Sequence, residues 1–375
     1  MPALDPSAMR RLNASMTLRV MAEIEGDIRM AQLLDRTGLS RRTIELILAE
    51  LLEDGWVTES APEPSNWRGR PARTFRFNPQ RWVIAGTRID TGGVRSVVTD
   101  VRGAVVGRDF RPVPDFHDPQ SALAEVAQSV EAAISAAGVE RDTVKAVGVA
   151  VPGVVSEEGI LVQLKDEQRW TGVAPAAVLS ELLGVPAFAD NDAKLAAIGE
   201  RWLGAARGLD TFVWMLAGER NGAGIVIGGT LHHGFGGSAG EIVHAEAFGL
   251  ARLMGHPVGL LTSPAPESHR AAVAVVKRAW AGDEEALTQV DEFVVPLTGV
   301  LATLAWTIAP PVIVLGGGLE DAGPELLVRL ERGIAAVNAP AIELRYSSLG
   351  AEAAVIGAVR LALDQVDGEL FGSVE

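Results

Sequence analysis

Apolar residues recur at helical spacing up to about residue 55 and at strand spacing after Trp82. In "NASMTLRVMAEI" (13–24), Met16, Val20 and Ile24 fall a helical turn apart. Met30, Leu33 and Leu34 then make a short apolar face, and Gly38 can supply the left-handed turn after it. Ser40 is placed to cap a second helix whose Ile44, Ile47, Leu48, Leu51 and Leu52 share one side. Two short helices joined through glycine predict a helix-turn-helix, with Arg41, Arg42, Thr43 and Glu45 on the exposed first turn of the second. "GWVTESAPEPSNWRGRPARTFRF" predicts a hairpin, with strands over 56–60 and 73–77 around a proline-rich tip. The whole reads as a winged helix over 1–80.

From Trp82 the pattern is that of an α/β body. "WVIAGTRIDTGGVRSVVTDVRGAVVGRDFRPV" predicts three strands with turns at Gly92–Gly93 and Gly103, followed by a helix over 120–137 and a buried strand over 146–155. "TFVWMLAGERNGAGIVIGGTLHHG" (211–234) repeats the strand–glycine–strand theme. Two similar meanders predict a duplicated, two-lobed fold with a ligand cleft between the lobes. One lobe is expected over 81–190 with a C-terminal return at 345–375, the other over 191–344. The apolar stretch 300–319 is broken by two prolines and three glycines, so it reads as helix, turn and buried strand rather than a membrane span.

Charge refines this picture. The net charge is −15, which by itself argues against a DNA partner. Residues 1–80, however, hold 11 arginines against 11 acids, leaving 22 basic and 37 acidic residues of the chain's 33 and 48 to the body. Residues 64–81 carry Arg68, Arg70, Arg73, Arg76 and Arg81 and no acid, a local patch that a phosphate backbone could meet. Arg41, Arg42 and Thr43, with Ser40 before them, are the candidate base-facing residues, and Arg68 and Arg70 the wing candidates for the minor groove or the phosphates beside it. The absence of cysteine excludes disulfides and thiolate zinc sites. The N-terminus lacks an apolar signal core, so the expected location is cytoplasmic.

The ordered set "DTGGVR", "GVAVPGVV", "DNDAKLAAIGE", "NGAGIVIGG", "GSAGEIVHAE", "VIVLGGGL" and "LGAEAAVIGAV" resembles the ROK family of sugar kinases and sugar-responsive repressors, which has an actin-like (ribonuclease H-like) fold. The winged helix ending in "GRPA" resembles the repressor branch. The resemblance implies that Asp192 occupies the place of the base that takes a proton from the sugar hydroxyl, and that Asn191, Glu241 and His244 occupy sugar-contacting places. A carboxylate beside an acceptor oxygen suits a general base, and Asn, Glu and His suit hydroxyls. Asp192 also reads simply as an acid at a helix N-terminus.

Four departures from the kinase pattern favour a sensor. The first phosphate turn keeps Asp90, Gly92 and Gly93 but has Val94 in place of the usual Thr. The second turn, with Gly222 and Gly224, carries Glu219 and Arg220, which would set a negative charge beside a triphosphate and a side chain where backbone must approach. The zinc-binding cysteines are missing, so no structural metal is expected, and His256 reads as a surface residue rather than a ligand. Asp166 falls where kinases tend to have Asn, making the sugar site more acidic. The turns therefore read as vestigial phosphate loops and no cofactor is expected. The expectation is a repressor of carbohydrate genes on palindromic operator DNA, a homodimer or dimer of dimers, with a sugar or amino-sugar effector bound between Asn191–Asp192 and Glu241–His244. The alternative is an ATP-dependent sugar kinase that carries a DNA-binding domain. The apolar helix 293–309 is a candidate dimer surface, with core packing as its other use.

Overall fold

The computed structural model describes residues 6–60, 73–165, 167–242 and 249–371. Helix α1 (Pro6–Ala22), strand β1 (Asp27–Arg29) and helices α2 (Met30–Thr37) and α3 (Arg41–Glu53) precede a hairpin of β2 (Val57–Ser60) and β3 (Thr74–Phe77). Gly38 ends α2 at φ 67°, and the Ser40 hydroxyl accepts the Thr43 N–H as the α3 cap. The hydrophobic pattern did not reveal β1, a three-residue strand that pairs with β3 and gives the order β1-β3-β2. It is too short to show a period.

The body holds two five-stranded sheets of the same topology. The first contains β4 (Val83–Asp90), β5 (Gly93–Asp100), β6 (Val105–Arg111), β7 (Val144–Val151) and, after the small β8 (Val154–Val155) and β9 (Leu161–Gln163) ladder, β10 (Ala187–Asn191). Its order is β10-β7-β4-β5-β6. The second contains β11 (Phe212–Leu216), β12 (Gly222–Ile227), β13 (Thr230–Leu231), β14 (Val312–Leu315) and β15 (Glu343–Tyr346), in the order β13-β12-β11-β14-β15. In each, three antiparallel strands form a meander and two parallel strands follow.

Helices α4 (Pro119–Ala137) and α5 (Pro175–Leu183) belong to the first lobe; α7 (Pro266–Trp280), α8 (Glu284–Thr307) and α9 (Pro324–Ala336) belong to the second. The two remaining helices cross over. Helix α6 (Asp192–Leu203) leaves the first sheet and packs on β11 and β12 of the second, while α10 (Ala353–Phe371) leaves the second sheet and packs on β4 and β7 of the first. They meet each other between the sheets. By length and apolar composition α8 could cross a membrane, but half of its most apolar window is buried, with Phe293, Leu297, Val300, Leu301 and Leu304 in the core of the second lobe. Val295 and Trp306 lie on its exposed side.

The winged helix shares a continuous core with the first lobe. Leu18, Met21, Ile44, Leu48, Phe75 and Phe77 join Ile84, Val355, Val359 and Val366 in one cluster. Arg19 pairs with Asp367 of α10 at 2.8 Å. In the β5–β6 turn, the Arg102 guanidinium donates to the carbonyls of Met21, Ala22 and Ile24 at 3.3, 3.0 and 2.6 Å, closing the C-terminus of α1, and lies over the Phe77 ring. A cation at a helix C-terminus that satisfies free carbonyls is worth about 2 kcal/mol when partly buried. Arg102→Ala is therefore expected to lower stability by about that amount. Hydrogen exchange should show the loosening in α1 amides, with the β4 and β7 amides keeping their protection.

Candidate functional site

On α3, Arg41, Arg42 and Thr43 lie on the outward first turn. Arg41 is largely exposed and pairs with Glu45 at 2.9 Å, an i,i+4 surface contact worth a few tenths of a kcal/mol that a stronger partner could displace. Ser40 and Thr43 share a 2.8 Å hydroxyl hydrogen bond, so Ser40 is chiefly a cap. Three of the five clustered arginines are already engaged: Arg73 with Glu59 in a two-pronged pair at 2.5 and 2.6 Å, Arg76 with Asp27 at 2.6 Å, and Arg81 with the Asp54 carbonyl. Reading 64–81 alone hid this, because the partner acids lie earlier in the chain. Arg68 and Arg70 lie outside the described residues.

Between the lobes lie two adjoining cavities. One, of about 410 Å³, is lined by Asp90, Gly92, Gly93, Gly317, Gly318 and Ala353 among others, on the side of the β4–β5 turn. The other, of about 340 Å³, is lined by Gly153, Glu167, Asn191, Glu219 and Glu241. Asp90, Asp192 and Arg220 face both.

A four-membered ionic cluster stands at this junction. Arg88 pairs with Asp90 and lies 3.6 Å from Asp192; Arg220 lies 3.5 Å from Asp90 and 3.8 Å from Asp192. Arg220 is anchored further by its backbone N–H to the Thr262 hydroxyl at 3.0 Å and its Nε to the Thr262 carbonyl at 2.7 Å. Asp90 also accepts the Gly92 N–H at 2.8 Å, fixing the turn. Burial alone would raise the Asp90 carboxyl, but Arg88 and Arg220 outweigh it and hold Asp90 below its ordinary value. Arg88 was missed in the sequence, although it stands two residues before Asp90 on one strand and so on the same face.

Asn191 and Asp192 begin α6. The Asn191 amide is committed to structure: its Oδ1 accepts the Lys194 N–H at 3.0 Å and its Nδ2 donates to the Gly153 carbonyl at 2.9 Å. Behind them is a buried polar group that the sequence reading did not single out. Lys194 is 1% exposed and its Nζ donates to the Gly237 carbonyl, with Asp190 and Glu241 nearby; burial depresses its pKa. His233 Nε2 meets Asp190 Oδ2 at 2.8 Å. Together Lys194 and His233 pin the 233–241 loop, which ends at Glu241, to the strand-helix junction. Burial raises the Glu241 carboxyl above its ordinary value.

Several expectations change. Gly222 and Gly224 are residues of β12, Gly222 opening the strand after the 217–221 turn. A Cβ on Gly224 would lie 2.6 Å from the Ala193 carbonyl, so glycine is required for packing on α6. Glu219 lines the second cavity and accepts the Gly255 N–H at 2.9 Å. His256 is not a surface residue. Its side chain is 14% exposed, its Nδ1 accepts the Val258 N–H at 3.2 Å, and its ring lies against Phe293. The segment 249–257 lies against α8, with Leu250 and Leu253 in the same core as Phe293, and takes the ring with it. Asp166 and His244 lie outside the described residues.

Removing one partner of a buried ion pair costs about 3–5 kcal/mol, but Arg88 remains to hold both carboxylates, so Arg220→Met should cost about 2 kcal/mol in urea unfolding at pH 7. The loss should shrink as pH falls through the depressed Asp90 pKa, where the protonated acid no longer uses the arginine. The His233 pKa is raised, first by its bond to Asp190, so its contribution is full below the ordinary value of 6.5 and lost as pH rises through the higher folded value. Amides of 234–240 should therefore lose exchange protection, after correction for intrinsic rates, between pH 6 and 9, and Asp190→Asn should abolish that dependence.

Residues 89–365 match the model of the ROK family. A xylose repressor of Caldicellulosiruptor bescii is 23% identical over 63% of this chain, and the match spans 59% of that relative's length. A glucokinase of Halalkalibacterium halodurans is 28% identical over 74% of this chain and 93% of its own. A crystal structure of a ROK family transcriptional regulator, homolog of E. coli MLC protein, aligns with a TM-score of 0.69 at 21% identity, covering 97% of this chain and 98% of that one. Kinases and repressors thus both lie near this chain, and the match to the regulator extends through the winged helix. The chain belongs to the ROK family.

Proposed function

We propose that this protein is a DNA-binding transcriptional repressor of carbohydrate-utilisation genes, controlled by a sugar or sugar-derived effector bound in the Asn191–Glu241 cavity. The observation that carries this reading is the ionic cluster. Arg88 and Arg220 bridge Asp90 and Asp192, so both carboxylates that a phosphoryl-transfer site would keep free are paired. Asp192 would have to leave both guanidiniums to reach a substrate hydroxyl. The winged helix fused to the same core supplies the DNA-reading part. The likeness to xylose repressors supports a sugar effector.

In this mechanism the effector shifts a population of lobe arrangements, and coupling of about 1–3 kcal/mol is typical. Two routes reach the winged helix from the cleft: α10, whose Ala353 and Ala354 line the first cavity and whose Asp367 pairs with Arg19, and β5, which runs from Gly93 to the turn holding Arg102. A homodimer would present two winged helices to a palindromic operator.

A kinase reading keeps one observation in its favour: Asp192 stands where the two cavities join, as a base between donor and acceptor must. Two measurements separate the readings. Pull-down of genomic fragments at physiological salt should enrich a few palindromic sites whose occupancy changes with a sugar pool, and Arg41→Ala with Arg42→Ala should weaken binding to such a site at least a hundred-fold, about 1–3 kcal/mol per base-reading arginine, without lowering the melting temperature. ATP-dependent sugar phosphorylation at ordinary kinase rates, lost in Asp192→Ala, would overturn the repressor-only reading.

A further inference from the structure

We infer that the effector carries a protonated amine, and that Glu219 is the specificity-determining carboxylate that binds it; this rests on the proposed reading of the Asn191–Glu241 cavity as the effector site. Among the described residues, five carboxylates face that cavity, Asp90, Glu167, Asp192, Glu219 and Glu241, against the cations Lys165 and Arg220. Three of the five need nothing from a ligand. Asp90 and Asp192 are held by Arg88 and Arg220, and Glu167 is held by His117 at 2.6 Å.

Glu219 is different. Its Oε2 accepts one backbone N–H, from Gly255, and no cation among the described residues lies within ion-pair distance of it. Lys165, across the cavity on the opposite lobe, instead contacts Met254 Sδ at 3.5 Å. Closing the lobes over a neutral sugar would strip water from Glu219 and give back only neutral hydroxyl hydrogen bonds. An ammonium group would give back a charge-assisted bond, roughly twice as strong, and offset the buried charge. Glu241 has the buried Lys194 ammonium nearby and its carboxyl is raised by burial, which leaves Glu219 as the carboxylate of this wall without a cation.

The test uses the full-length protein and isothermal titration at pH 7 with three matched sets: glucose, mannose and galactose, their 2-amino-2-deoxy forms, and their N-acetylated amino forms. The expected result is that one free-amine sugar binds at least about ten-fold tighter than its hydroxyl and N-acetyl counterparts. In Glu219→Gln, which keeps an oxygen for the Gly255 N–H, that preference should fall to within about two-fold, through weaker binding of the amine sugar and, because a neutral side chain costs less to desolvate, no loss of affinity for the hydroxyl sugar. Equal or tighter binding of a neutral sugar overturns this inference and leaves the sugar-effector reading standing. A preference for the amine that survives in Glu219→Gln overturns the role of Glu219. Failure of every sugar to bind at millimolar concentration overturns both the inference and the reading it rests on.

Discussion

The crossing of α6 and α10 is the contact on which both lobes depend, and it is made at backbone distance. A Cβ on Gly357 of α10 would lie 1.7 Å from the Leu195 carbonyl of α6, and one on Gly199 of α6 would lie 2.2 Å from the Ala353 carbonyl of α10. The sheet beneath is equally close: a Cβ on Gly148 of β7 would lie 1.8 Å from the Ala358 carbonyl. None of these positions needs an unusual φ, so the requirement is for space and not for a turn. Each helix starts from one sheet and packs on the other, so the pair ties the lobes together where they join. Any larger side chain would force backbones apart in a core at crystalline density.

That geometry places the chemistry. Because α6 begins at the end of β10 and runs under the second sheet, its first residue, Asp192, emerges between the lobes. There it meets Asp90 from the end of β4 and Arg220 from the turn between β11 and β12. A kinase would use the same convergence to bring a base, a phosphate turn and a substrate together. Here two guanidiniums occupy the meeting point, and Glu200, deep in α6, is spent on structure, accepting the Ser347 hydroxyl and the Leu349 N–H after β15. The same scaffold thus serves a charge cluster that holds itself in place.

How far the sequence reveals this depends on the range of each interaction. Local signals read well: Ser40 as a cap, Gly38 as a left-handed stop, the paired meanders, and the apolar face of α3 are all set within a few residues. Non-local pairing did not read. The arginines 73, 76 and 81 looked like a free patch because Glu59, Asp27 and the Asp54 carbonyl stand 14, 49 and 27 residues away. Gly222 and Gly224 looked like turn residues because glycine marks both turns and close packing, and only the approach of Ala193 distinguishes them. His256 looked exposed because the loop that buries it has no period. Arg88 was legible in principle, since alternation along β4 sets it beside Asp90, but a lone arginine in a strand gives no hint that it pairs.

The remaining step is how a small ligand could act on DNA contacts through a body this tightly packed. In the proposed reading, an effector bound to Glu219 and Glu241 on one lobe and facing Gly153 and Gln163 of the other would change the relation between lobes, not the inside of either. Bending within the first lobe would disturb the close contact of Gly148 with α10, whereas rotation about the α6–α10 crossing spares that contact and pivots where the two helices meet. The winged helix is joined to the first lobe by a continuous core and by the Arg102 bonds to the end of α1, so it would move with that lobe as one body. Its partner in a dimer would do the same. The spacing of two recognition helices would then be set by how the lobes are arranged, and a small closure at the cleft is magnified by the distance from the crossing to α3.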